Sequence, residues 1–236
     1  MSAQNSATNG QRPNGILIAI DGPTASGKST TAREVALRLG YQHLNTGAMY
    51  RAFGLYVLQW EIDPADDEKR AWLLDRVYID IDEDGQTLLD GAVVSELVEA
   101  PEVAMMASKV SAYPNVRAKM VKLQKDIAHG GGFVVDGRDI GTVVFPDAEV
   151  KIYLNASPQV RAFRRHKDIL ESNPSLKISD LVSQIEERDR RDMERENSPL
   201  RKAADAIELD TSNLTFEDQV QRIVDMAQEK IAVQTS

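Results

Sequence analysis

Ile16-Leu17-Ile18-Ala19-Ile20 is apolar at every position, and Gly22-Pro23-Thr24-Ala25-Ser26-Gly27-Lys28-Ser29 follows it almost at once. An unbroken apolar run suits a central parallel strand buried on both faces, whereas a half-exposed strand would alternate. The next eight residues satisfy G-x-x-x-x-G-K-[ST] and lead into a helical pattern. This order constrains the fold more than any other feature. Glycines let the backbone curl until successive N–H groups and a helix N-terminus face one phosphate; Lys28 adds a mobile positive charge, and Ser29 offers an oxygen to Mg²⁺. The expected donor site is therefore a phosphate-binding loop (P-loop) for ATP, made of Gly22, Pro23, Thr24, Ala25, Ser26, Gly27, Lys28, Ser29 and Thr30. A Gly-rich turn with a surface lysine would fit the letters alone, but not the strand before them and the helix after them.

Further short apolar runs occur at Phe133-Val134-Val135, Val150 to Leu154 and Ala206 to Leu209, with a weaker one at Tyr41 to Leu44. Helical patterns separate them: Thr30 to Leu39 ending at Gly40, Ser157-Pro158 opening a helix toward Leu170, and a last helix capped by Thr215 with Phe216, Val220, Ile223, Val224, Ala227 and Ile231 on one face. Strands alternating with helices predict an α/β, three-layer fold around a central five-stranded parallel sheet flanked by helices. From Asp66 to His129 the rhythm changes to a helix, a hairpin with Val77, Ile79 and Ile81 alternating before an Asp84-Gly85 turn, and two helices parted near Pro114. A disordered tail is expected at 1–14, and the α/β core is expected to be interrupted by this added subdomain and again by a charged stretch at 160–202.

The 236 residues hold 37 acidic against 28 basic side chains, a formal charge of −9, which argues against nucleic acid or an anionic membrane as partner. There is no cysteine, and no apolar run approaches the roughly 18 residues of a membrane span, so a soluble, cytoplasmic protein is expected. The charge is uneven. Residues 161–202 carry eleven basic and nine acidic side chains, a net positive segment in an acidic chain. On helices, Arg161, Arg164 and Arg165 share a face, as do Arg188, Arg191, Asp192 and Arg195. A solvated hairpin with surface pairs such as Glu187 with Arg191 would explain the pattern, but beside a P-loop an arginine-rich flap closing on phosphate is the stronger reading, with Asn173-Pro174 at its tip.

A P-loop does not say what is done with the nucleotide. The guanine-reading N-K-x-D of GTPase switches is missing, since no Asn-Lys pair occurs. Beyond the loop, Asn45-Thr46-Gly47-Ala48-Met49-Tyr50-Arg51, Ser108 to Arg117 (SKVSAYPNVR), Asp136 to Ala148 (DGRDIGTVVFPDA), Arg188 to Arg195, and Pro199-Leu200 before Ala204-Asp205-Ala206 form a recognisable set. In these segments the chain resembles the nucleoside monophosphate kinases, and among them the bacterial cytidylate kinase family, from about Ile16 to Ala232. The resemblance implies transfer of the γ-phosphoryl group of ATP to CMP or dCMP, giving CDP or dCDP, with Mg²⁺, and it implies a P-loop core at 15–61, 130–159 and 201–236 that carries an NMP-binding insert with a small β element at 62–129 and a helical lid at 160–200. It implies that Arg51 and Arg138 meet the acceptor phosphate, that Ser108, Arg117 and Asp139 read the base, and that Arg188 and Asp192 contact sugar and phosphate with Arg195 beside them. Thr46 falls near the acceptor, Ser29 at the metal, and Lys28, Arg138, Arg188 and Arg195 form the catalytic group of an expected monomer. The acceptor is already a phosphate, ionised near pH 7 with a second pKa of about 6, so no strong base is required. His43, His129 and His166 lack partners at metal-ligand spacing and read as surface or packing residues. One departure stands out: the family often has Ile-Arg-Thr where this chain has Val98-Glu99-Ala100. The alternatives are another small-molecule kinase of the shikimate type, for which Gly130-Gly131-Gly132 could be mistaken as a signature, and a nucleotide-dependent binding protein with no phosphoryl acceptor.

Overall fold

The computed structural model describes residues 15–169 and 176–234; the tail at 1–14 and the flap tip at Asn173-Pro174 lie outside them. The chain runs through β1 (Leu17–Asp21), α1 (Lys28–Leu39), β2 (Gln42–Asn45) and α2 (Thr46–Gln59). Next come α3 (Asp67–Arg76), three short strands β3 (Ile79–Ile81), β4 (Thr87–Leu89) and β5 (Ala92–Val93), a 3-10 turn at Leu97–Glu99, α4 (Pro101–Val110) and α5 (Pro114–Ile127). It continues through β6 (Phe133–Gly137), a π-helical turn at Ile140–Val144, β7 (Val150–Asn155), α6 (Pro158–Ile169), α7 (Ile178–Glu194), β8 (Ile207–Asp210) and α8 (Phe216–Gln234).

The five apolar runs pair as one wholly parallel sheet in the order β2-β6-β1-β7-β8. Alternate residues of β1 serve opposite faces. Ile18 and Ile20 pack with Val35 and Ala36 of α1 and with Val220, Ile223 and Val224 of α8. Ala19 lies in the other core, with Met49, Phe53 and Val57 of α2 and Val116 and Met120 of α5. Both faces are covered, which makes the three layers and explains why β1 needs no polar face. Gly40 ends α1 at φ 67°, donating its N–H to Ala36 O and Leu37 O.

β3, β4 and β5 form a separate antiparallel sheet, with Gly85 at φ 74° in the expected turn. Two expectations need correction. Val77 is not a strand residue, because Asp66 caps α3 by accepting from Lys69 N–H and the helix then runs far enough for Val77 N–H to bond Leu73 O. Phe216 is 47% exposed, because it stands in the first turn of α8, ahead of the sheet contacts that begin at Val220.

α4 meets α2 through a glycine. A Cβ at Gly54 would lie 2.9 Å from Ala107 N and 3.2 Å from Val103 O, both backbone atoms of α4. Gly54→Ala must therefore push α4, which carries Ser108, away from the core. The expected loss is about 1–3 kcal/mol in urea unfolding, and an unchanged midpoint would show that α2 and α4 are not held this closely.

Candidate active site

The P-loop leaves the sheet at the C-terminal end of β1, where an open α/β sheet places its ligand. Gly22 sits at φ 153°, and a Cβ there would come within 2.1 Å of Leu154 O, so only glycine lets the loop lie this close to β7. Gly27, at φ 88°, is the N-cap of α1 and turns the N-terminal amides of that helix toward the loop. Lys28 is buried and folds back, donating from Nζ to Pro23 O at 2.6 Å and to Ser26 Oγ at 3.3 Å. Burial first, and then the neighbouring Arg138, push its ammonium well below the ordinary lysine range. Thr30 is exposed, its hydroxyl donating to Gly27 O.

Ser29 Oγ donates to Asp136 Oδ2 at 2.7 Å. Asp136, at the end of β6, also bonds His43 Nε2 through Oδ1 at 2.7 Å, and its carbonyl accepts from Thr46 Oγ1 at 2.7 Å. Burial acts to raise the Asp136 carboxyl, but His43, Ser29 and Lys28 outweigh it and hold the group below the usual range. His43 is thus not a surface or packing residue; it is 8% exposed and orients the carboxylate beside the P-loop serine. Asp21 was also missed by spacing. Its two oxygens accept from Ile140 N–H at 2.8 Å and Gly141 N–H at 2.7 Å, fixing the backbone that follows Arg138 and Asp139.

The arginines expected at the acceptor gather opposite. Arg138 Nε donates to Asp192 Oδ2 at 2.9 Å and Nη2 to Thr24 Oγ1 at 3.0 Å, so one guanidinium touches both α7 and the P-loop. Arg117 pairs with Asp139 and lies over the Tyr50 ring, and Arg195 Nη2 is 3.7 Å from Asp139 Oδ1. Arg195 is the C-cap of α7 and not a residue of its helical face; its Nε donates to Ser198 O. Arg188 presents a solvent-facing side chain, yet partial desolvation, and then Arg138 and Arg51, lower its guanidinium to about 10. Ser108 is half-buried on α4, near the end of that helix. Arg51 Nη2 donates to Glu99 Oε1 at 2.8 Å. Among the described residues, Arg51 Nε, Arg117 Nε and Arg195 Nη2 are buried without a hydrogen-bond partner. Gln124 Nε2 and Thr142 Oγ1 share that state, but three of the five atoms belong to arginines, and a buried donor left unmet costs about 1–3 kcal/mol, which favours a polar ligand beside them.

The basic island divides in two. Arg161 does not face the acceptor cluster: it is buried, pairs with Asp189 of α7 and donates to Thr24 O at 2.8 Å. Asp189 Oδ1 accepts from Thr24 N–H at 2.8 Å, so α6 and α7 together grip the P-loop backbone on both sides of Thr24. Arg164 bonds Thr211 through its hydroxyl and carbonyl, while Arg165 and Arg191 are exposed, the latter 3.6 Å from Glu187. Between α6 and the loop after β8 lies a cavity of about 480 Å³, lined by Gln159, Val160, Phe163, Arg164, Lys167 and Ser212, which no motif had indicated.

The family model for cytidylate kinase matches residues 18–229. A cytidylate kinase of Fervidobacterium nodosum is 45% identical over 217 residues, covering 92% of this chain and 98% of its own. One from Cytophaga hutchinsonii is 45% identical over 217 residues, covering 90% and 93%. A third, from a Geobacillus strain, is 44% identical over 221 residues, covering 92% and 99%. Because the match begins inside β1 and ends inside α8, taking in the P-loop, the arginines and helices α6 and α7 together, this chain belongs to the cytidylate kinase family.

Proposed function

We propose that the protein transfers the γ-phosphoryl group of ATP to CMP or dCMP, giving ADP and CDP or dCDP. The observation that carries this reading is the set of buried guanidinium N–H groups without a hydrogen-bond partner on Arg51, Arg117 and Arg195, together with Arg138, whose Nη2 reaches the P-loop at Thr24 Oγ1. A nucleoside monophosphate offers what they lack: phosphate oxygens and the acceptors of a base edge. Arg51, Arg138 and Arg188 take the acceptor phosphate, with Asp192 holding Arg138 in place. Ser108, Arg117 and Asp139 read the cytosine edge, and Thr46, anchored to the Asp136 carbonyl, lines the acceptor side. The P-loop amides and Lys28 hold the donor phosphates, and Arg195 closes the cluster from the end of the lid helix. Residues 62–129 are assigned to the acceptor-binding insert and 160–200 to the lid.

Two oxygens suit Mg²⁺. Ser29 Oγ and Asp136 Oδ2 lie 2.7 Å apart beside Lys28, and Mg²⁺ takes one or two side chains, leaving the rest of its shell to water and substrate phosphates. When bound, Mg²⁺ neutralises charge on the β- and γ-oxygens. The protein's own part is positioning and charge complementarity in a cleft where no general base is needed. No helix of the described residues is long and apolar enough to cross a membrane, and the lack of cysteine suits a reducing cytoplasm.

ADP release from ATP, measured with CMP, dCMP, UMP, AMP and shikimate in turn, tests the whole reading. CMP or dCMP should stimulate it most; no stimulation by any acceptor returns the protein to nucleotide-dependent binding, and a preference for UMP or AMP removes the base-reading roles. Lys28→Ala should lower kcat by at least about 100-fold with an unchanged unfolding transition, and near-normal turnover would dismiss its role. Asp189→Asn loosens the grip on Thr24 and should raise KM for ATP about tenfold, or about 1.4 kcal/mol, with a smaller effect on CMP. Equal effects on both substrates would mean that the contact serves only general stability.

A further inference from the structure

Three carboxylates stand against the acceptor arginines, and one differs from the other two. Asp139 is buried and paired with Arg117, and Asp192 is bonded to Arg138 with a side chain 21% exposed. Glu99, at the end of the 3-10 turn, is 65% exposed and holds Arg51 through a single contact, Oε1 accepting from Nη2 at 2.8 Å. Arg51 itself is 22% exposed, and its Nε remains buried without a partner. Glu99 therefore neutralises the outer end of a guanidinium whose inner edge is unsatisfied. The positive charge of Arg51 also helps to lower Arg188, so these two and Arg138 act as one cationic group. A carboxylate at the rim of that group attracts the same cation as an incoming phosphate and repels the phosphate itself.

We propose that Glu99 sets the affinity of the acceptor site, as an internal counter-ion that holds Arg51 while the site is empty and yields it to the acceptor's phosphate. The proposal rests on the placement of that phosphate at Arg51. A solvent-exposed ion pair shifts an equilibrium by no more than roughly fivefold, and loss of the like charge beside the phosphate adds to that. The pair also belongs to the class of contacts that salt screens, with a Debye length falling to about 3 Å at 1 M.

Glu99→Gln keeps the shape and removes the charge. KM for CMP should fall about threefold to tenfold, with kcat and KM for ATP within about twofold of the parent, and the gap should close as salt is raised toward about 1 M. An unchanged or higher KM for CMP overturns the proposal, as does an equal fall in KM for ATP or a gap indifferent to salt. Arg51→Met separates the two layers of inference. If it raises KM for CMP, the placement stands and the Glu99→Gln result decides on Glu99 alone; if it leaves KM unchanged, both the placement and the role of Glu99 fall.

Discussion

Parallel pairing of β1 with β6, in register from Leu17 opposite Phe133 to Asp21 opposite Gly137, is the interaction on which the site depends. It sets Ile20 beside Asp136, so the loop leaving β1 returns at Ser29 within hydrogen-bond reach of the carboxylate that ends β6. A slip of one residue would turn every side chain of β6 to the other face and carry Asp136 away from the P-loop. Asp21 secures the same junction from the other direction, holding the two N–H groups of Ile140 and Gly141. Burial pushes the Asp21 carboxyl up to about 6, ahead of the lowering effect of those two bonds. A carboxyl kept in such surroundings indicates how closely the two loops are drawn together, since a looser junction would admit water and relieve the shift.

Charge in the cleft is arranged to be incomplete. Burial acts to raise Asp192, but Arg138 and then Arg195 and Arg188 hold it below the usual carboxylate range, so it stays ionised and balances part of the cluster. It does not balance all of it. Arg188 falls to about 10 through desolvation and its arginine neighbours, and Arg195 is lowered by burial and then by Arg117. Cations that lower one another in a partly dry cleft favour an anionic ligand more than dispersed surface arginines would, because the ligand relieves repulsion as well as making bonds. The net charge of −9 describes the body of the protein and not this cleft.

What was legible in the sequence follows from the range of the interactions involved. β1, β6 and β7 could be read because a strand buried on both faces is apolar in most of its own letters, and the P-loop because its backbone geometry demands glycine at local spacing; β2 (QHLN) was only weakly marked, and β8 is exposed at three of its four residues. α2 was not marked as a helix. It opens on the Thr46-Gly47 pair and buries Thr46, Ala48, Met49, Ala52, Phe53, Gly54, Tyr56 and Val57, which is too broad a face for a clear 3.6-residue stripe. β5 is two exposed residues whose only support is pairing with β4. His43 with Asp136 and Asp189 with Thr24 lie 93 and 165 residues apart, and no spacing rule reaches that far. The arginine-rich stretch was readable as cationic, but which of its members serve ligand and which serve structure depends on what each helix face meets.

That division has a mechanical meaning. Along α7, Asp189 turns inward to Thr24 and Arg161, while Asp192 bonds Arg138 and Arg188, four residues before it, stays exposed within electrostatic reach of Arg138. Thr24 then has its N–H bonded to Asp189, its carbonyl to Arg161 and its hydroxyl to Arg138. α6, α7 and Arg138 meet on one P-loop residue, so a shift of any of the three disturbs contacts made by the other two. The junction ties the two helices to the P-loop and to the end of β6 at once. It also gives a physical reason for spending buried charge on the Arg161–Asp189 pair: an apolar pair could pack the helices, but it could not grip both polar groups of a loop backbone that has to stay in register with the acceptor.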